Sequence, residues 1–314
     1  MKLLAAYDGS ACSESALDDL RNIGLSETGE AVVISVAEVW LPPPTGGEDQ
    51  TGIHLDADSK RLIEERYDEN MRQLEKAKQL ASIGANRLRA ALPKWTIAAV
   101  GTYGSPCWEI LAQARELRAD LILVGSHGHQ GIFRFFMGSV SQKILTEATC
   151  SVRVSRGKID IDGGPQRLAI GFDGSAGSIA AVNSVASRSW PDLTEVRLIS
   201  AVHDFAPSLI GDLIPGVIET ADDLNTTEKD WIEKAAEPNL RILLDKGLSA
   251  SLHIFSGNPK KIVVKKSEEW RANCIFLGAN AAGGWFERFL LGTTAAAVAA
   301  RAHCSVEAVR ISKQ

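Results

Sequence analysis

Leu4-Ala5-Ala6-Tyr7-Asp8-Gly9-Ser10-Ala11, almost at the start of the chain, returns as Leu168-Ala169-Ile170-Gly171-Phe172-Asp173-Gly174-Ser175-Ala176, with Asp-Gly-Ser-Ala displaced by 165 residues from Asp8 to Asp173. Three further echoes follow in the same order. Gly104-Ser105-Pro106 returns as Gly257-Asn258-Pro259, Leu121-Ile122-Leu123-Val124-Gly125 as Cys274-Ile275-Phe276-Leu277-Gly278, and Cys150-Ser151-Val152 as Cys304-Ser305-Val306. Ordered echoes of this kind mark a duplicated unit, and each copy is long enough to bury a core of its own. The 314 residues divide into a first domain over 1–156, a connector over 157–165 carrying glycines, charges and Pro165, and a second domain over 166–314.

Each copy reads as α/β. Short apolar runs at 3–7, 31–36, 96–100, 121–124 and 152–154 predict strands in the first copy, and 168–172, 196–200, 251–255, 274–277 and 306–309 in the second. Between them Ala16, Leu17, Leu20 and Ile23 recur at helical spacing, and Ile63, Tyr67, Met71, Leu74, Ala81 and Leu88 mark a long helix that Pro93 ends. Continuous apolar strands alternating with amphipathic helices predict two tandem open parallel sheets, each with helices on both faces. Loops rich in proline or glycine follow the second strand of each copy, one starting at Trp40 and the other spanning 205–216.

Composition narrows the function classes. Hydrophobic residues at 45% and charged residues at 23% are ordinary for a globular protein. No run approaches the roughly 20 apolar residues of a membrane helix, and an acid and a glycine, Asp8 and Gly9, come too early for a secretory leader. A formal charge of −5 supplies no broad basic field for nucleic acid. Five scattered cysteines, with no CxxC pair, suit reduced thiols, so a cytoplasmic location is expected. Cys150 and Cys304 read as small buried hydrophobes, and Trp108, Trp190, Trp231 and Trp270 as core or domain-interface residues.

After the fourth predicted strand comes Gly125-Ser126-His127-Gly128-His129-Gln130-Gly131-Ile132-Phe133-Arg134-Phe135-Phe136-Met137-Gly138-Ser139-Val140-Ser141, and then a helix through Ile144 and Leu145. Glycines let backbone approach a ligand closely. A helix opening at Gly138-Ser139 presents free N–H groups, the positive end of its dipole and the hydroxyls of Ser139 and Ser141, an anion site built mostly from backbone. Doubly wound sheets bind ligands at the carboxyl ends of strands where the order reverses. If strand one lies beside strand four, Asp8 and Gly125 are neighbours there. A carboxylate repels phosphates, so Asp8 belongs at the purine or ribose end. Taken singly, Asp8-Gly9-Ser10 also reads as no more than a turn and helix cap. His127 and His129 lack a third partner for a protein-held metal, and Mg²⁺ or Mn²⁺ carried by phosphates is the expected form if a metal is present.

On these residues the chain resembles a tandem member of the universal stress protein family. Gly125-x2-Gly128-x9-Gly138-Ser139 is similar to that family's ATP-binding pattern, and Asp8 closes the first strand as its adenosine-contacting acid does. The resemblance implies a five-stranded sheet ordered 3-2-1-4-5 in each copy, ATP (or AMP or ADP) as cofactor, and a nucleotide lined by Val36, Val124, Gly125, His127, Gly128, Gly138, Ser139, Val140 and Ser141. It also implies that the last strands, 152–154 and 306–309, pair across an internal pseudo-two-fold axis, although Ser151 and Ser305 replace the proline common at that point. A homodimer of two chains is left open. The second copy keeps Asp173, Gly278 and the helix opening Gly292-Thr293-Thr294, but Ala281 replaces the second glycine and one extra residue precedes Gly292. Whether it too holds nucleotide is undecided by these residues.

No Walker A sequence and no SGGxDS loop occurs, and Arg134 is the only cation of the motif. Efficient phosphoryl transfer needs cationic clamps and a positioned base. The expected function is therefore a stress-response or regulatory module that retains adenine nucleotide with slow or no hydrolysis and acts through an unidentified protein partner. The alternative is a nucleotide-independent module that binds a partner or small ligand with the same fold.

Overall fold

A computed structural model describes residues 1–39, 57–126, 137–156, 165–202, 215–279 and 292–311. Among them the first domain runs β1 (Lys2–Ala6), α1 (Ala11–Asp19), β2 (Glu30–Ala37), α2 (Ala57–Ala91), β3 (Thr96–Tyr103), α3 (Pro106–Leu117), β4 (Leu121–Gly125), α4 (Ser139–Glu147) and β5 (Ser151–Ser155). The second runs β6 (Arg167–Gly171), α5 (Ala176–Ala186), β7 (Glu195–Val202), α6 (Pro215–Asp245), β8 (Ser249–Ser256), α7 (Pro259–Glu269), β9 (Cys274–Gly278), α8 (Thr293–Arg301) and β10 (Ser305–Val309). The strands form one ten-stranded sheet in the order β3-β2-β1-β4-β5-β10-β9-β6-β7-β8. Each half is thus the expected 3-2-1-4-5 arrangement with parallel neighbours. The predicted connector falls largely on 157–164, outside the described residues.

The two halves meet where β5 and β10 pair antiparallel, with Val154 opposite Val306, Arg153 opposite Glu307 and Val152 opposite Ala308. Alternation along a strand sends neighbouring side chains to opposite faces. On one face Val152, Val154, Val306 and Ala308 join a single apolar core that includes Ile144 and Leu145 of α4 and Val298 and Ala299 of α8, and so crosses both domains. On the other face each domain keeps its own core, one around Leu3, Leu17 and Val33 and the other around Leu168, Val182 and Phe276. The space between those two cores is filled by charge.

Arg153, fully buried, donates through Nε and Nη2 to Asp19 at 2.7 and 3.1 Å and lies 3.5 Å from Glu307. Glu307 is in turn held by Arg188, which also donates to the Ile23 carbonyl of the first domain at 3.0 Å. Burial lowers the proton affinity of Arg153, but the carboxylates of Asp19 and Glu307 more than offset it, and the guanidinium is held firmly protonated. The serines that replace proline complete the seam. Ser305 Oγ donates to Asp19 at 2.8 Å and accepts the Arg156 amide at 3.2 Å, while Ser151 Oγ accepts the Arg310 amide at 3.2 Å. A proline at either position would supply no hydroxyl for these bonds.

Two sequence expectations need correcting. The apolar stripe of α2 is buried at Ala77, Ala81, Ala85 and Leu88, whereas Ile63, Tyr67 and Met71 are exposed. The reason is length: 35 helical residues extend about 52 Å, and the eight-residue strands β2 and β3 about 27 Å. Trp190 does sit at the seam, edge-on to Phe276 with ring centres 6.2 Å apart, but Trp108 and Trp231 are half exposed. The Trp108 ring instead carries the Lys143 ammonium 4.2 Å from its centre.

Removing one partner from a buried ion network leaves the other uncompensated. Glu307→Ala is therefore expected to lower unfolding stability by about 3–5 kcal/mol, read as a lower urea midpoint. The swap Arg153→Glu with Glu307→Arg should not restore it, because it sets Glu beside Asp19 and Arg beside Arg188. A parental midpoint in either variant would show that the network contributes nothing.

Candidate functional site

The carboxyl ends of β1 and β4 are brought together by their pairing, Leu3 with Leu121, Leu4 with Ile122 and Ala5 with Leu123. The chain leaves β1 through Tyr7, whose amide donates to the Ile34 carbonyl at 2.9 Å, and turns at Asp8-Gly9-Ser10. Asp8 Oδ1 accepts the Ser10 amide at 2.9 Å, Gly9 takes φ +75°, and Ser10 Oγ caps α1 by accepting the Ser13 amide at 3.2 Å. The second domain repeats the device with Asp173, Gly174 at φ +71° and Ser175 capping α5. The bland reading of Asp-Gly-Ser, a turn and cap, is therefore present in both copies. Ser13 and Ser178, whose hydroxyls donate back to the Ser10 and Ser175 carbonyls, were not singled out from sequence, and their matching positions three after each cap are the signal that would have found them.

Gly125 ends β4 against the first turn of α1. A Cβ built on it would lie 2.8 Å from the carbonyl carbon and oxygen of Cys12. In the second domain a Cβ on Gly278 would meet Gly177 backbone at 2.3 Å. The first glycine of each motif thus has a packing reason: without a side chain, strand end and helix start can touch. Next to Gly125, the Ser126 carbonyl accepts the Gly138 amide at 2.8 Å, and this bond closes a loop in which residues 127–136, His127, Gly128, His129 and Arg134 among them, lie outside the described residues. The counterpart bond runs from the Gly292 amide to the Ala279 carbonyl at 3.2 Å.

Helix α4 then starts at Ser139 behind Gly138, which is extended (φ −63°, ψ 153°) and makes no side-chain cap. The first-turn amides are thereby left without a side-chain acceptor, as a backbone anion site requires. Ser139 is exposed, and Val140 is half-buried against the shared core. Ser141 differs from expectation: it is buried, and its hydroxyl donates to the Gly125 carbonyl at 2.7 Å, tying helix to strand end rather than pointing outward. Val124 is buried beneath the cleft, and Val36 is half-buried at the end of β2 on the same apolar core. In the second domain α8 likewise starts behind an uncapped Gly292, and Thr294 is half-buried. The Thr293 side chain is not described. Ala295 stands where Ser141 does, so the clamp to the strand end is missing there.

Other ionisable groups near the cleft brace the scaffold. Burial pushes the Tyr7 phenol up, so it stays protonated and donates to Glu14, which pairs with Arg87 of α2. Burial likewise pushes the Cys150 thiol up to about 11 and the Cys304 thiol up to about 12, and both pack against the shared core as apolar groups. Among the described residues no three His, Cys, Asp or Glu side chains gather to hold a metal, and no helix is long and apolar enough to cross a membrane.

The universal stress protein family model matches this chain twice, over residues 1–156 and 165–310, and the chain belongs to that family. It is 29% identical over 155 residues to the universal stress protein YxiE of Bacillus subtilis, an alignment covering 49% of this chain and 98% of that one. It is 23% identical over 269 residues to a universal stress protein of Mycobacterium tuberculosis, covering 80% of this chain and 83% of that one. Among solved structures, a universal stress protein from Archaeoglobus fulgidus superposes with a TM-score of 0.60 at 21% identity, covering 98% of this chain and 96% of that one, which shows the shared fold.

Two motif glycines, Gly125 and Gly292, predict different outcomes. Gly125→Ala forces a methyl against Cys12 backbone and is expected to cost about 1–3 kcal/mol. Gly292→Ala, where a Cβ meets nothing within 4 Å among the described residues, should stay within about 0.5 kcal/mol of the parent. Thermal denaturation of the two variants side by side measures both, and equal melting points would remove the packing account of Gly125.

Proposed function

We propose that the first domain retains adenine nucleotide, ATP in the first instance, and that the protein works as a cytoplasmic stress-response or regulatory module rather than as an efficient enzyme. The observation that carries this reading is the uncapped start of α4 at Gly138, tied to the end of β4 through the Ser141–Gly125 bond, with β1 paired alongside β4. In this reading the amides from Ser139 to Ser141 take the phosphates, replacing the lysine that other nucleotide sites use. Asp8 accepts hydrogen bonds from the purine or ribose end. Val36 lies near the adenine, and His127 and Gly128 line the phosphate path, as the family resemblance implies. Mg²⁺ or Mn²⁺, where present, arrives with the phosphates and offsets their charge. Ser141 acts from beneath, clamping the helix start to the end of β4.

In the second domain the same helix start is retained at Gly292-Thr293-Thr294 beside Asp173 and Gly278, but without that clamp and with Ala281 in place of the second glycine. We assign it the weaker site. A nucleotide-independent reading has one observation in its favour: Asp8 and Asp173 each serve as acceptors within their own turns.

The purified protein, denatured and cleared, is expected to release adenine nucleotide at up to about one per chain. ATP at a hundredfold excess over its Kd should add about 2.7 kcal/mol of stability, and Gly138→Val, which puts a branched side chain at the helix start, should abolish both effects. No released nucleotide and no thermal shift with ATP would favour the nucleotide-independent module. Unchanged binding by Gly138→Val would show that the anion site is assigned to the wrong place.

A further inference from the structure

Two grooves flank the β5–β10 seam, and the duplication relates them. One, of about 290 Å³, is walled by Asp19, Arg156, Glu268, Arg271 and His303. The other, of about 940 Å³, is walled by Arg115, Arg118, Asp120, Arg188 and Arg310, with Thr149 and several serines. Arg156 and Arg310 are counterparts, each following the last strand of its domain and each donating its amide to a serine of the other. Arg118 and Arg271 are counterparts too, both left-handed at φ 54° and 57° just after α3 and α7. The remaining charges differ. Glu268 stands where the larger groove has Arg115, His303 where it has Thr149, and Asp19 where it has Ser184.

By formal charge those exchanges set Asp19 and Glu268 against Arg156 and Arg271 in the smaller groove, where Arg156 Nε and Nη2 also find no acceptor among the described residues. They leave the larger groove in positive excess. Arg188 answers Glu307, and Asp120 accepts the Lys2 amide at 2.7 Å. Arg115 and Arg118 are exposed and make no ion pair among the described residues. Arg310 is only 7% exposed, gives Nη2 to the Leu145 and Thr146 carbonyls, and has no acceptor for Nε among the described residues. Burial lowers its proton affinity, with no carboxylate to compensate. A desolvated guanidinium without an acidic partner is costly, and guanidinium forks match the oxygens of phosphate groups.

We propose that the larger seam groove is an anion-binding site for a small phosphate-bearing molecule, with Arg115 and Arg118 as its accessible cations and Arg310 at its wall. The groove contains Met1, Asp120 and Ser151, at the amino ends of β1, β4 and β5, and so lies at the opposite end of the first domain's strands from the cleft at Asp8 and Gly138. A ligand there touches both domains and favours their present pairing. The proposal is independent of nucleotide binding at that cleft.

The test is calorimetric titration at low ionic strength, where such contacts are least screened, of the full chain with inorganic pyrophosphate and, separately, with ribose 5-phosphate. Saturable binding is expected for the parent and for Gly138→Val alike, and should weaken about tenfold or more in Arg115→Gln/Arg118→Gln. Both substitutions are on exposed positions, and a far-ultraviolet spectrum matching the parent verifies the fold. Binding of pyrophosphate alone identifies a free inorganic anion as the ligand, and binding of the sugar phosphate identifies a phosphoryl group on a larger molecule. No saturable binding of either probe, equal affinity in the double variant, or loss in Gly138→Val alone would each overturn the assignment.

Discussion

The structure depends on one contact, the antiparallel meeting of β5 and β10 with Arg153 set against Glu307 at its centre. Two five-stranded parallel sheets each end in an edge strand with unpaired backbone groups, and pairing those edges satisfies both at once. The pleat then divides the work. One face of the seam is apolar and fuses the domains into one core, and the other is ionic and holds Asp19, Arg153, Glu307 and Arg188 in alternating sign. Opposite charges at the pseudo-two-fold position also select the partner. A first domain paired in the same register with another first domain would set Arg153 against Arg153, and two second domains would set Glu307 against Glu307. Like charges buried at that distance are strongly disfavoured, so the sequence encodes pairing of a first domain with a second.

Duplication with divergence recurs elsewhere in the molecule. The Asp-Gly-Ser turns are the same to a few tenths of an ångström in their hydrogen bonds. The glycine that lets strand four touch the first helix is kept in both copies because each backbone is already in contact there. Around these constants the side chains have separated: Ser141 against Ala295, Leu80 against Trp231 over the turn glycine, Arg115 against Glu268. The conserved elements are those whose geometry the fold demands, and the altered ones line clefts and grooves where a ligand or solvent makes the demand instead.

Much of this was legible beforehand. Short apolar runs located the ten strands of the described residues to within a few residues, most directly for the central strands that are buried on both faces. The helix start at Gly138-Ser139 was readable because glycine followed by serine after a strand and loop has few other uses. Less legible was anything set by what lies across the chain. The apolar residues of α2 at 63, 67 and 71 have helical spacing whether or not a sheet reaches them, and the sheet ends too soon. Ser141 carries the same hydroxyl whether it faces a ligand or the Gly125 carbonyl 16 residues back.

By itself the sequence determined the repeat, the fold of each half, the turn chemistry at Asp8 and Asp173 and the position of the glycine motif, since each rests on local periodicity or on a backbone conformation that only a few residues adopt. Tertiary structure alone decided that Arg153 meets Glu307 and Asp19, that Ser151 and Ser305 bond the opposite strand, and that Arg115, Arg118 and Arg310 share a groove. The bonded partners among these lie up to 159 residues apart along the chain. Charge and hydrogen bonding act through space, and no pattern within one stretch of sequence carries the distance between two groups that the fold has yet to bring together.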